Sequence, residues 1–290
     1  MLGGTLSATL VFMLLCLIWG STWMFIKIGL EDAPPFLYAG LRFLLAALLM
    51  FPIVKLRGQR IPRDRRVLRL MVNTGLFAVS VTYGLVYWSE QYIPAGLTSV
   101  LFSAFPFFVI LFSHLMIPDD RLSSTKIGGT LVGFSGLLLI FLDSLKLQNR
   151  MAVLATAAVV FSAICTALSN VVIKKNVREL DPFVLTFVHM LCGAVALLGL
   201  SLGLENLSDF HATVKSLGSL AYLAVMGSCV AFIGYYWLLR HIKVTTASLI
   251  VFVIPIVALF LDWIVLHQVL DWRTVAGSGL VIAGVGVASR

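Results

Sequence analysis

Apolar residues run along this chain in blocks of about 20, too uniform for helices with one wet face and long enough to cross a bilayer. Windows of that length give ten spans. The first five are Leu6–Ile28, Phe36–Val54, Val67–Ser89, Ala95–Ile117 and Thr125–Leu142; the second five are Met151–Ile173, Phe183–Leu204, Leu217–Leu239, Val244–Leu266 and Trp272–Ser289. The fifth and tenth are the shortest, near the lower limit for spanning. Leu6–Ile28 is too long for a signal-peptide core and lacks a basic start, so it is expected to stay as a span. The short connections leave no separate soluble domain.

The polar punctuation repeats. Ile26-Lys27 and Pro35-Phe36 return as Ile173-Lys174 and Pro182-Phe183, a shift of 147. Tyr87-Trp88 returns as Tyr236-Trp237 and Pro106 as Pro255, both shifted by 149; Gly129 and Gly136 return as Gly277 and Gly284, shifted by 148. Self-similarity at half the chain length predicts two copies of one unit, 1–146 and 147–290. Five spans is an odd number, so the second copy enters the membrane from the opposite face. The expected fold is an all-α polytopic membrane protein of ten transmembrane helices, a 5+5 inverted repeat of the kind that serves secondary transport.

Composition agrees. The chain is 60% hydrophobic and 12% charged, with a mean hydropathy of +1.03. Its net charge of +8 does not mark a nucleic-acid binder, because Lys55, Arg57, Arg60, Arg63, Arg65, Arg66 and Arg69 crowd one short loop, as cytoplasmic loops facing anionic lipid do. Of 21 basic residues, Lys27, Arg42, Lys146, Arg150, Lys215 and Arg273 fall on one side and the rest on the side of the termini. That bias predicts a plasma-membrane protein with both termini in the cytoplasm. Cys16, Cys165, Cys192 and Cys229 lie inside spans without metal-ligand spacing, so no metal, cofactor or disulfide is expected.

Trp19-Gly20-Ser21, then Lys27, Pro34-Pro35-Phe36 and Arg42-Phe43, with Ala95, Ser99 and Pro106 in the fourth span, resemble the EamA family of the drug/metabolite transporter superfamily. The resemblance covers the whole chain. It implies an exporter-like carrier with a central cavity lined by spans 1, 3, 4, 6, 8 and 9. Where the family carries an acidic residue after spans four and nine, this chain has Asp119-Asp120 and His267-Gln268.

Candidate substrate-cavity residues are those whose polar groups need partners in lipid. Trp19 and Thr22 stand in the first span, and Asn170, with Ser162, Thr166 and Ser169, in the sixth. Tyr83 and Tyr87 are one turn apart in the third, and Tyr235 answers them in the eighth. Ser99 and Ser103 precede Pro106 on one face of the fourth span, as Ser248 and Phe252 precede Pro255 in the ninth. Each proline removes a backbone bond, so both helices are expected to bend there around the solute path. The ionisable groups in the membrane are Arg42, its counterpart His189, His114 and Asp262, with Glu90 at a span end. Arg42 is expected to snorkel to the interface, and the histidines are read either as packing groups or as proton carriers.

Gly129xxxGly133, Gly199xxxGly203, and Ala276, Gly279, Ala283 and Gly286 in the tenth span should let helices approach closely, in a monomer or weak homodimer. The expected function is secondary transport of a small amino-acid-like or amphipathic metabolite by alternating access. The expected partners are that solute and membrane lipids. A lipid flippase or facilitator channel would use the same scaffold. An integral membrane enzyme is disfavoured by the absence of HExxH or paired-acid motifs, and ATP drive by the absence of a P-loop.

Overall fold

The computed structural model describes residues 2–93, 95–118, 123–140, 150–257 and 272–288. Among them lie ten helical spans: α1 (Leu2–Leu30), α2 (Pro35–Leu56), α3 (Arg65–Ser89), α4 (Ala95–Phe102 and Phe105–Met116), α5 (Ser124–Ile140), α6 (Arg150–Lys175), α7 (Pro182–Leu204), α8 (Val214–His241), α9 (Val244–Val257) and α10 (Trp272–Ala288). Seven are long and apolar enough to cross a membrane alone; α5, α10 and the described part of α9 are shorter apolar helices. The sequence windows found every span, with ends differing by a turn where polar residues extend a helix.

The two halves meet through equivalent helices. Gly40 of α2 sits so close to α7 that a Cβ there would lie 2.8 Å from the Leu198 side chain. The repeat maps Gly40 onto Phe187 and Leu198 onto Phe51, and the Phe51 and Phe187 rings are indeed neighbours, 6.0 Å apart. The α5–α10 contact behaves the same way. A Cβ on Gly136 would lie 2.5 Å from the Gly277 carbonyl oxygen, and one on Gly284 would lie 2.6 Å from that of Gly129; each contact is the other's repeat image. Self-complementary contacts of this kind define a two-fold axis. Positions rise along one helix as they fall along its partner, so equivalent helices run antiparallel and the axis lies across the bundle, in the membrane plane. The cross-contacts of α1 with α8 and of α3 with α6 are related by that axis.

Two of the expected close-approach sets face elsewhere. Gly199, Gly203, Gly279 and Gly286 have open space where a Cβ would go. The helix–helix contact uses Gly277 and Gly284 instead, one face round from Gly279 and Gly286.

Helix starts show the repeat being adapted. Asp181 caps α7 by accepting from the amides of Phe183 (3.0 Å) and Val184 (3.1 Å). In the first half Pro34 occupies the capping position and offers no side-chain acceptor. There Glu205, at the end of α7, reaches across and accepts from the equivalent amides, Phe36 (2.7 Å) and Leu37 (2.8 Å). Both α3 and α8 loosen into π-helix at matching places, Leu76–Val81 and Val225–Val230. Such segments free carbonyls, and they are frequent at functional sites.

Gly136→Leu would drive a side chain into the α10 backbone and should cost about 1–3 kcal/mol or abolish folding. Gly279→Leu, facing open space, should leave the thermal unfolding of the detergent-solubilised protein within a degree or two of wild type.

Candidate functional site

A cavity of about 120 Å3 opens between the halves, walled by α1, α3, α4, α6, α8 and α9. Those are the six spans that the family resemblance implies. Aromatic side chains dominate the wall: Trp19 and Trp23 from α1, Tyr83 from α3, Phe102 and Phe105 from α4, Phe232, Tyr235 and Tyr236 from α8. The polar groups are few and mostly tied. Thr82 Oγ1 stands 2.7 Å from Thr166 Oγ1 and donates to the Phe77 carbonyl that the π segment of α3 loosens (2.8 Å). Asn170 Nδ2 donates to the Tyr235 hydroxyl (3.0 Å), which joins α6 to α8 at the cavity wall.

Among the sequence-chosen cavity residues, Trp19, Thr22, Tyr83, Ser99, Thr166, Asn170 and Tyr235 line this space. Tyr87, Ser103, Ser248 and Phe252 do not. Ser103 turns its hydroxyl back to the Ser99 carbonyl (2.7 Å), and Ser248 does the same to Thr245 (2.7 Å). Phe252 is buried against Gly133 of α5, in a separate cluster with Val100, Leu249 and Val281. Trp23, Thr82, Phe232 and Tyr236 belong to the wall but were not chosen. The cue was present for Phe232 and Tyr236, because the +149 shift maps Tyr83 and Tyr87 onto them.

The proline expectation divides. The first break falls at Ser103–Ala104, with Pro106 second in the following helix. In α9 the helix breaks earlier, at Leu249, and runs on past Pro255.

Arg42 does not snorkel. It lies about 10 Å along α2 from its first residue, 1% exposed. Its Nε donates to Ser228 Oγ (2.9 Å), Nη1 to the Tyr87 hydroxyl (3.1 Å) and Nη2 to the Gly227 carbonyl (3.0 Å). The carbonyl comes from the π segment of α8 and also accepts from Trp19 Nε1 at 3.4 Å. His189, the repeat image of Arg42, pairs with Tyr236, the image of Tyr87. Thr74 Oγ1, which donates to the Leu70 carbonyl (2.8 Å), stands 3.0 Å from His189 Nε2, and the Tyr236 hydroxyl stands 2.6 Å from Nδ1. Both nitrogens of the imidazole are therefore used. His114 is exposed in the last turn of α4. Asp262, Asp119-Asp120 and His267-Gln268 lie outside the described residues.

The two ends of the bundle differ. At the end holding the termini, Lys174 Nζ, at the end of α6, donates to the Leu239 and Ile242 carbonyls that close α8, and Arg240 donates to the Leu180 carbonyl. At the far end the image of Lys174 is Lys27. It is exposed and makes no such bond to the end of α3 among the described residues. The equivalent position on α3 is Glu90, whose Oε1 is sealed from solvent without a hydrogen-bond partner among them. Burial pushes the Glu90 carboxyl up to about 8, against the pull of Lys27.

Helices walling a shared cavity about an in-plane two-fold are the arrangement found in secondary transporters. The EamA-like transporter family model matches residues 6–142 and 153–290, one match in each half, and the chain belongs to that family. It is 28% identical over 269 residues to YoaV of Bacillus subtilis, which is named an uncharacterized transporter, covering 93% of this chain and 92% of that one. It is 27% identical over 248 residues to YedA of Escherichia coli K12, named an uncharacterized inner membrane transporter, covering 85% and 79%. A protein of known crystal structure shares the fold at a TM-score of 0.83 and 17% identity, over 98% of this chain and 96% of that one.

With Glu90 raised above the ordinary carboxylate range, the folded chain holds a proton that the unfolded chain gives up, and stability falls as pH climbs from about 4.5 to 8. Glu90→Gln removes that loss. Its gain in melting temperature over wild type should be near zero at pH 5 and largest at pH 9 in detergent; a gain independent of pH would rule the account out.

Proposed function

We propose that the protein is a secondary carrier that exports a small aromatic or amphipathic metabolite, amino-acid-like in size, across the plasma membrane by alternating access. Both termini are cytoplasmic in this reading, on the strength of the basic residues crowded at that face. The carrier works as a monomer or weak homodimer among membrane lipids, with no nucleic-acid partner. A wall of aromatic rings with a few hydroxyls and one amide suits solutes with an apolar body and a polar end. No covalent step is required.

The observation that carries the reading is the unequal latching of two equivalent ends. Lys174 ties α6 to α8 at the cytoplasmic end, while Lys27, its image, stays exposed at the outer end near Glu90, whose Oε1 has no hydrogen-bond partner among the described residues. In an inverted repeat the opposite conformation exchanges those roles: Lys174 lets go and Lys27 closes on the end of α3 and Glu90. The present structure is then the outward-facing member of the pair.

The experiment is counterflow. Solutes enriched in the medium of overproducing cells are tested in proteoliposomes, where a carrier is stimulated by its own solute on the far side and a channel is not. Lys174→Met should cut exchange at least tenfold while Lys174→Arg retains most of it. Flux without trans-stimulation would overturn the carrier reading, and full exchange in Lys174→Met would overturn the latch.

A further inference from the structure

Arg42 carries a full charge in the membrane interior, and its hydrogen-bond partners among the described residues are all uncharged. Its three hydrogen-bond partners are a hydroxyl, a phenol and a backbone carbonyl, and its guanidinium carbon stands 4.9 Å from the Tyr83 ring and 5.2 Å from that of Phe43. Among the described residues no carboxylate pairs with it. Buried cations are ordinarily neutralised by an acid. Here the surroundings solvate the charge and leave its field intact.

That field reaches the cavity. Only one layer of side chains separates the two. Tyr83, in contact with the guanidinium, lines the cavity, as does Thr22. A Cβ on Gly227 would lie 2.8 Å from Thr22 Cγ2 and 3.1 Å from Arg42 Nη2, so the cavity wall and the guanidinium flank the same missing atom. The described lining residues include no Asp, Glu, Lys or Arg. Among the described residues, one positive charge therefore stands a single side-chain layer from an apolar chamber, in which charge interactions are far stronger than in water.

We infer that Arg42 is a specificity-determining residue that acts through space: the cavity takes carboxylate-bearing and neutral aromatic or amphipathic solutes and refuses organic cations. This rests on the cavity being the solute path, and it narrows the proposed substrate class by charge.

The test reads the cavity potential directly. In a background with the four cysteines replaced, Thr22→Cys is reacted with an anionic, a cationic and a neutral methanethiosulfonate reagent. The ratio of anionic to cationic rates, divided by the same ratio for a free thiol, cancels changes in access and thiol ionisation. With Arg42 present that normalised ratio should exceed about ten; Arg42→Gln should bring it to near one, and Arg42→Lys should keep it high. A normalised ratio of one or below with Arg42 in place overturns the inference, whether or not Arg42→Gln folds, and so does a ratio that Arg42→Gln leaves unchanged. If the neutral reagent does not react at position 22, the chamber is no solute path, and the carrier reading falls together with this one.

Discussion

Two five-helix units can close on each other in a membrane only if the helices on their common axis lie backbone to backbone. Lipid offers no hydrophobic drive for helices to associate, so close packing and hydrogen bonds must hold the halves together. The glycines of α5 and α10 supply the first of these. The carbonyls of Gly129, Gly136 and Gly277 occupy the space that side chains would fill. On the other side of the molecule α2 and α7 cross at Gly40 and at the Phe51–Phe187 ring pair. With both pairs fixed on the axis, the remaining six helices are left to surround the cavity.

A two-fold built from different residues cannot be strict, and its departures are visible at the helix starts and at Arg42. The cap on α7 is local, from Asp181, whereas the same amides on α2 are capped from the other half by Glu205. The basic group on α2 is a guanidinium that reaches the π segment of α8, whereas its image on α7 is an imidazole that stops at Thr74. These exchanges keep the scaffold symmetric while making the two ends chemically distinct.

The spans, their number and the inverted arrangement were legible in the sequence because each depends on quantities that the chain prints outright: the length of apolar runs, the parity of five and a constant offset. The site was legible only in part. Trp19, Thr22, Tyr83, Ser99, Thr166, Asn170 and Tyr235 were found because a polar or aromatic group in a span needs a partner. Tyr87, Ser103, Ser248 and Phe252 satisfied the same rule and lie elsewhere, since Ser hydroxyls are content with the carbonyl one turn back and a phenol with a guanidinium. Helical spacing names a face but not what the face meets. The π segments left no trace in the sequence, because a one-residue loosening of the helix shifts every later face by about 100° without changing composition.

Arg42 shows why that shift matters. With regular 3.6-residue geometry throughout α8, the Gly227 carbonyl would be committed to its own helix, and a guanidinium entering from α2 would find one fewer acceptor. The π segment leaves that carbonyl available to Arg42 and, more distantly, to Trp19. The absence of a side chain at Gly227 makes the approach possible, since a Cβ there would sit 3.1 Å from Nη2. Holding a charge in lipid is expensive, and among the described residues the partners of Arg42 are a fold irregularity, a glycine and two aromatic rings rather than an acid. An acid would have stabilised the cation more cheaply, but it would also have cancelled the field. The arrangement is therefore better understood as a way of keeping a positive potential beside the cavity than as a way of packing α2 against α8.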